Sequence, residues 1–120
     1  MKVIVNISKS FKKLAKPLLK KFSSLNLELA RLEKDLIDNP KLGKSLGHNT
    51  YKIRLAVASK GKGKSGGLRV ISFLNTEIIG VIEIDGEITN VNLIAIYDKS
   101  ETASISEKEL RDLINRIQSE

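Results

Sequence analysis

Hydrophobic spacing divides the chain into two kinds of element. Residues 3–7 read as a short strand. Phe11, Leu14, Leu18 and Phe22 then recur at helical spacing with lysines on the outer face, and Pro17 stands where it breaks or kinks that helix. Leu25, Leu29, Leu32 and Leu36 predict a second helix, which Asn39-Pro40 ends. A loop through Gly43 and Gly47 leads to a strand over 51–57. There Tyr51, Ile53, Leu55 and Val57 alternate with Lys52, Arg54, Ala56 and Ala58, so two cations share one half-exposed face. Residues 59–67, rich in Gly and Lys, form a loop before a strand at 68–74. Asp85-Gly86 is a hairpin signal between apolar runs at 78–84 and 88–97. The stretch 68–84 fits either one strand bent at Gly80 or two strands. Ser106 and Glu109 make a capping box opening a helix whose Leu110, Leu113, Ile114 and Ile117 share one face. The order β-α-α-β-β-(β)-β-α predicts a single α+β domain over residues 1–120. Its sheet is small and mostly antiparallel, with two N-terminal helices and a C-terminal helix.

Composition narrows the chemistry. A chain of 120 residues buries a core without covalent staples. With no cysteine there are no disulfides, thiolate nucleophiles or cysteine zinc sites, and the one histidine, His48, reads as a surface residue. No metal or other cofactor is implied. No apolar run approaches the roughly 20 residues of a spanning helix, and the start lacks a secretion signal, so the expectation is a cytoplasmic protein with no membrane partner.

The net charge of +7 is unevenly divided. Residues 1–69 hold 17 Lys/Arg and 4 Asp/Glu; residues 70–120 hold 4 and 10. Between Asn39 and Thr76 stand eight basic residues and no carboxylate. That span suggests a polyanionic partner, nucleic acid before a membrane surface. Within it, a hairpin brings Arg69 towards Lys52 and Arg54, and like charges on one sheet face repel unless an anion lies among them. The loop 58–65 fits a relaxed phosphate-loop pattern, but a strand follows where that loop requires a helix. The remaining choice is between a solvated hairpin loop and an arm of Lys60, Lys62 and Lys64 that closes on a phosphodiester backbone. Tyr51, Phe73 and Tyr97 are the rings available for base stacking.

The runs NPKLGKSLG, YKIRLA, KGKGKSGGLRVI and LIAIYDKSE, followed by an acidic, Ser-capped helix, resemble the RelE/HigB-type toxins of bacterial type II toxin–antitoxin systems. The resemblance spans about residues 11–117. It implies an mRNA interferase, in many members one that cuts mRNA in the ribosomal A site, held inactive by a cognate antitoxin protein. By position, Lys52 and Arg54 match the paired basic residues of the family's second strand, Arg69 the arginine of the next strand, and Lys99 a basic residue after the last strand. These four are the candidate catalytic residues: Arg54 and Arg69 on the scissile phosphate, Lys52 as base or electrostatic aid, Lys99 at the leaving group. Lys60, Lys62, Lys64 and Tyr97 are the candidate RNA-binding residues. Where the prototype has a catalytic tyrosine near the C-terminal helix, Ile105 and Ser106 stand here. Two alternatives share the pattern: a ParE-like inhibitor of DNA gyrase, and a non-catalytic nucleic-acid-binding module.

Overall fold

The computed structural model describes residues 2–60, 67–78, 87–101 and 105–119. They form an α+β domain of three helices and a five-stranded mixed sheet. In chain order the elements are β1 (Lys2–Ile7), α1 (Lys9–Lys21), α2 (Leu25–Asp38), β2 (Lys44–Gly47), β3 (Thr50–Leu55), a 3-10 turn (Ala58–Lys60), β4 (Leu68–Ile78), β5 (Glu87–Asp98) and α3 (Glu107–Ser119). The spatial order is β1-β5-β4-β3-β2. β1 runs parallel to β5, and every other pairing is antiparallel.

Local chemistry explains most boundaries. The Ser8 hydroxyl caps α1 by accepting from the Phe11 N–H at 3.1 Å. α1 continues through Pro17, which neither breaks nor ends it. Proline fixes a helix-compatible φ, and Pro17 lies on the exposed side, where water can serve the carbonyl that loses its donor. The buried stripe of α1 is Phe11 and Ala15, with Leu18 and Leu19 packed behind, whereas Leu14 is 42% exposed. Phe11, Leu18 and Phe22 therefore pack as their spacing predicts, and Ala15 takes the place expected of Leu14. α2 buries Leu25, Leu32 and Leu36 as its spacing requires, and Asn39 caps its C-terminus.

One sequence expectation changes. The stretch after Gly43 is not a loop but β2, joined to β3 by a tight turn whose two central residues, His48 (φ 52°) and Asn49 (φ 61°), are both left-handed. That geometry matches the twist of the strands it joins. Only one large apolar residue, Leu46, lies in Lys-Ser-Leu-Gly, too few to register as a strand by periodicity. β4 is one continuous strand as far as Ile78, and the irregularity falls in its partner. Pairing passes from Ile71↔Ala95 to Ser72↔Leu93, leaving Ile94 as the bulged residue. Gly80 and Asp85-Gly86 lie outside the described residues.

The sheet has a different cover on each face. Ile53, Leu68, Val70, Leu74, Val91, Leu93 and Ile96 pack under α1 and α2 in the main core. On the other face Ile71, Phe73, Ile94 and Ala95 meet Leu113 of α3, with Leu110, Ile114 and Ile117 around it. No described helix is long and apolar enough to cross a membrane.

Candidate functional site

Strand register builds a cationic patch on the α3 face of the sheet. Arg54 pairs with Arg69, and Arg69 with Tyr97, making one row across β3, β4 and β5. One step along, Lys52 pairs with Lys44 on β2 and with Ile71 on β4. Residues two apart on a strand point the same way, so Lys52 and Arg54 emerge together. Lys99 stands in the turn after β5. Four expected residues, Lys52, Arg54, Arg69 and Lys99, are thus brought together, and Lys44 joins them.

The like charges of this group act on one another. Partial burial, followed by the charges of Lys44, Arg69, Arg54 and Lys99, holds the Lys52 amine below the usual lysine value. Among the described residues no carboxylate forms an ion pair with Lys44, Lys52, Arg54 or Lys99. Lys44, Arg54 and Lys99 are exposed, and Lys52 is half-buried. Beside them, β2 pairs only with residues 50–52, leaving the outer edge of 53–55 open. A cavity of about 690 Å³ lies there, with Lys44, Lys52 and Arg54 on one side and Arg31 and Asp35 of α2 on the other. Gly43 at the head of β2 has φ +104°, and a Cβ there would stand 2.6 Å from the Lys52 carbonyl oxygen. Only glycine lets this segment lie against the backbone that carries Lys52.

Three residues differ from their expected settings. Arg69 is 2% exposed, because β4 is a central strand flanked by β3 and β5. One guanidinium nitrogen donates to the Leu68 carbonyl at 3.2 Å. Arg69 therefore supplies charge from beneath the patch rather than an open guanidinium. Tyr97 packs its ring against the Ile71–Phe73 side of the core, so it is not an exposed stacking platform. Its hydroxyl is buried without a hydrogen-bond partner; burial raises its pKa and the Arg69 charge opposes that rise.

Lys60 departs furthest from a free arm. Its ammonium is paired with Asp98, at side-chain exposures of 9% and 2%. Asp98 also accepts from the Ser100 N–H at 2.9 Å and hydroxyl at 2.7 Å. Burial pushes the Asp98 carboxyl up, but the Lys60 and Ser100 hydrogen bonds outweigh it and bring it down to about 2. Ser59 meets Ser24 at 2.8 Å, and Glu28 accepts from the Ala58 N–H at 2.6 Å. The start of the Gly/Lys segment is thereby fastened to both α2 and the end of β5. Lys62 and Lys64 lie outside the described residues.

Sequence reasoning missed Lys44. Its place depends on β2 being a strand in register with β3, which nothing in the local pattern signals. No protein-family model matches the chain, and no curated protein matches it.

Proposed function

We propose that this chain is a RelE/HigB-like toxin that acts in the cytoplasm as an mRNA interferase under the control of a cognate antitoxin. One observation carries the reading: Lys44, Arg54, Arg69 and Lys99, from β2, β3, β4 and the turn after β5, gather around Lys52, and among the described residues no carboxylate pairs with Lys44, Lys52, Arg54 or Lys99. Such a patch repels itself until an anion enters, and a phosphodiester is an anion that such a group of ammonium and guanidinium groups can hold. The three helices and the mixed sheet support the RelE-like fold, with two helices on one face and the C-terminal helix on the other.

The chemistry proceeds by attack of a ribose 2′-oxygen on the adjacent phosphorus. The bond to the 5′-oxygen breaks, leaving a 2′,3′-cyclic phosphate and a 5′-hydroxyl. Lys52, whose proton is held less tightly because of burial and then of its neighbouring charges, takes the 2′-hydroxyl proton. Arg54 and Lys44 hold the phosphate oxygens as charge builds, each such donor contributing on the order of 100-fold. Arg69 adds fixed positive charge from below. Lys99 donates a proton to the departing 5′-oxygen.

A non-catalytic RNA-binding module is the second reading, favoured by the burial of Arg69 and of the Tyr97 hydroxyl. Mapping mRNA 5′ ends in translating cells that express the chain separates the readings. New ends bearing 5′-hydroxyls, absent with Lys52→Ala, are expected. RNA binding without new ends identifies the binding module, and lost supercoiling without new ends identifies the gyrase inhibitor.

A further inference from the structure

The cavity of about 690 Å³ beside the cationic patch has a second wall, which phosphate binding leaves unused. Lys44, Lys52 and Arg54 line one side, and Glu28, Arg31 and Asp35 of α2 line the other. Their spacing of three and four residues puts the α2 group in one row along the helix. Leu32, Leu42 and Leu55 supply an apolar floor between the walls. Beyond Lys52 no strand pairs with the outer edge of β3 among the described residues, so the cavity also meets open strand backbone at 53–55. Its size falls within the roughly 300–1,000 Å³ of sites that take a small molecule, as does its mixture of apolar floor and a few polar groups.

The two carboxylates of the α2 wall are not equivalent. Glu28 is occupied: one oxygen accepts from the Ser24 hydroxyl at 3.0 Å and the other from the Ala58 N–H at 2.6 Å. Asp35 forms no ion pair among the described residues, with Arg31 or with any other cation. It also sits in the last turn of α2, where a negative charge opposes the helix dipole and no basic residue compensates it. Helix stability therefore gives no reason for a carboxylate at this position. Arg31 and Asp35 are both exposed, one turn apart. A donor-only group and an acceptor-only group thus stand side by side, facing the wall that carries Lys52.

We infer that this cavity takes the nucleobase next to the phosphate held by Lys44 and Arg54, and that Asp35 and Arg31 select guanine there. This selection rests on RNA being the ligand of the cationic patch, but not on its cleavage. Guanine alone among the four RNA bases presents two adjacent donors, N1–H and the N2 amino group, which match the two oxygens of a carboxylate. Its O6, beside N1, accepts from the Arg31 guanidinium. Adenine and cytosine offer one amino group next to a ring-nitrogen lone pair, which Asp35 repels. Uracil has a single N–H between two carbonyls. The faces of the base lie against the apolar floor. Affinity and selection are thereby divided: one wall holds backbone phosphate, and the other reads the base.

The test is fluorescence anisotropy of the full chain with labelled uridine hexamers carrying one central guanine, adenine or inosine. The guanine hexamer should bind on the order of tenfold tighter than the adenine one, with inosine, which lacks the N2 amino group, between them. Asp35→Asn exchanges one acceptor oxygen for a donor, and should bring the guanine-to-adenine ratio below about twofold. Its salt slope should match the parent's, because the phosphate contacts remain. Glu33→Gln makes the same change of charge on α2 outside this cavity and should leave the ratio unaltered. Circular dichroism confirms that each variant is folded. Equal affinity for the guanine and adenine hexamers would overturn the inference. So would a ratio that survives Asp35→Asn, an equal loss in Glu33→Gln, or free guanosine monophosphate binding as tightly as the guanine hexamer. Mapping mRNA 5′ ends keeps this result apart from the cleavage reading. A guanine preference that depends on Asp35, without new ends, upholds the base site and removes the interferase; new ends with no guanine preference do the reverse.

Discussion

Lys52 and Lys60 arise from one carboxylate-free span, yet the fold gives them opposite surroundings. Lys52 faces four other cations and, among the described residues, no paired carboxylate. Lys60 is buried against Asp98, which Ser100 further constrains. The first arrangement stores electrostatic repulsion at a surface. The second removes charge from solvent and joins two segments. A basic run in sequence therefore mixes two roles, and what divides them is the residue that the sheet brings opposite each lysine. Asp98 lies beyond the span, so the local count of carboxylates could not reveal it.

The largest effect should come from breaking the buried pair. Asp98→Ala leaves the Lys60 ammonium buried without its partner, a loss of about 3–5 kcal/mol of stability. Lys52→Met removes one member of a repelling group and should change stability by no more than about 0.5 kcal/mol. Urea unfolding of the two variants beside the parent checks the contrast. Similar losses in both would show that the cluster is held together like the pair.

Arg54→Ala is the next largest and bears on activity. Arg54 is exposed, so its removal should leave the melting temperature within a few degrees while cutting RNA cleavage by on the order of 100-fold. Single-turnover cleavage of a short RNA, or of mRNA on ribosomes, measures it. Arg69→Ala is the less informative variant, because it opens a hole under a central strand as well as removing charge.

How much was legible beforehand follows from the range of the signals. The helices rest on local periodicity and capping, and α2 and the Ser106–Glu109 box could be read directly. Lys52 and Arg54 could be read as sharing a face because strand alternation is local too. The burial of Arg69 could not, since it depends on β4 having neighbours on both sides. Nor could Lys44, whose strand is short and whose turn depends on left-handed backbone at His48 and Asn49. Gly43 was visible only as a loop residue; its close approach to Lys52 is a tertiary fact.

Acid and alkali sharpen the same contrast from opposite ends. Asp98 titrates at about 2 in the fold against an ordinary 3.8, so the unfolded chain binds more protons in between. Its contribution, about 2 kcal/mol, is complete above roughly pH 4 and is lost as pH falls through its folded value. Lys52 is also depressed, and for a lysine that sign means stability rises with pH between its lowered value and 10.5. Unfolding free energies at pH 5 and pH 2 should differ less in Asp98→Asn than in the parent. Across the alkaline range, Lys52→Met should flatten the rise.

The smallest effect tests the cluster's least visible member. Lys44 is exposed and pairs in register with Lys52, and its charge is the largest among those that lower the Lys52 pKa. Lys44→Ser should therefore change stability by less than about 0.5 kcal/mol and weaken RNA binding only modestly. Its signature is in two slopes. Losing one phosphate contact should reduce the salt dependence of single-stranded RNA affinity by about 0.7 in log–log slope. The cleavage rate, which needs neutral Lys52, should keep rising to higher pH than in the parent because one repelling charge is gone. A changed salt slope with an unmoved pH profile would assign Lys44 to RNA contact alone and remove Lys52 from the role of base.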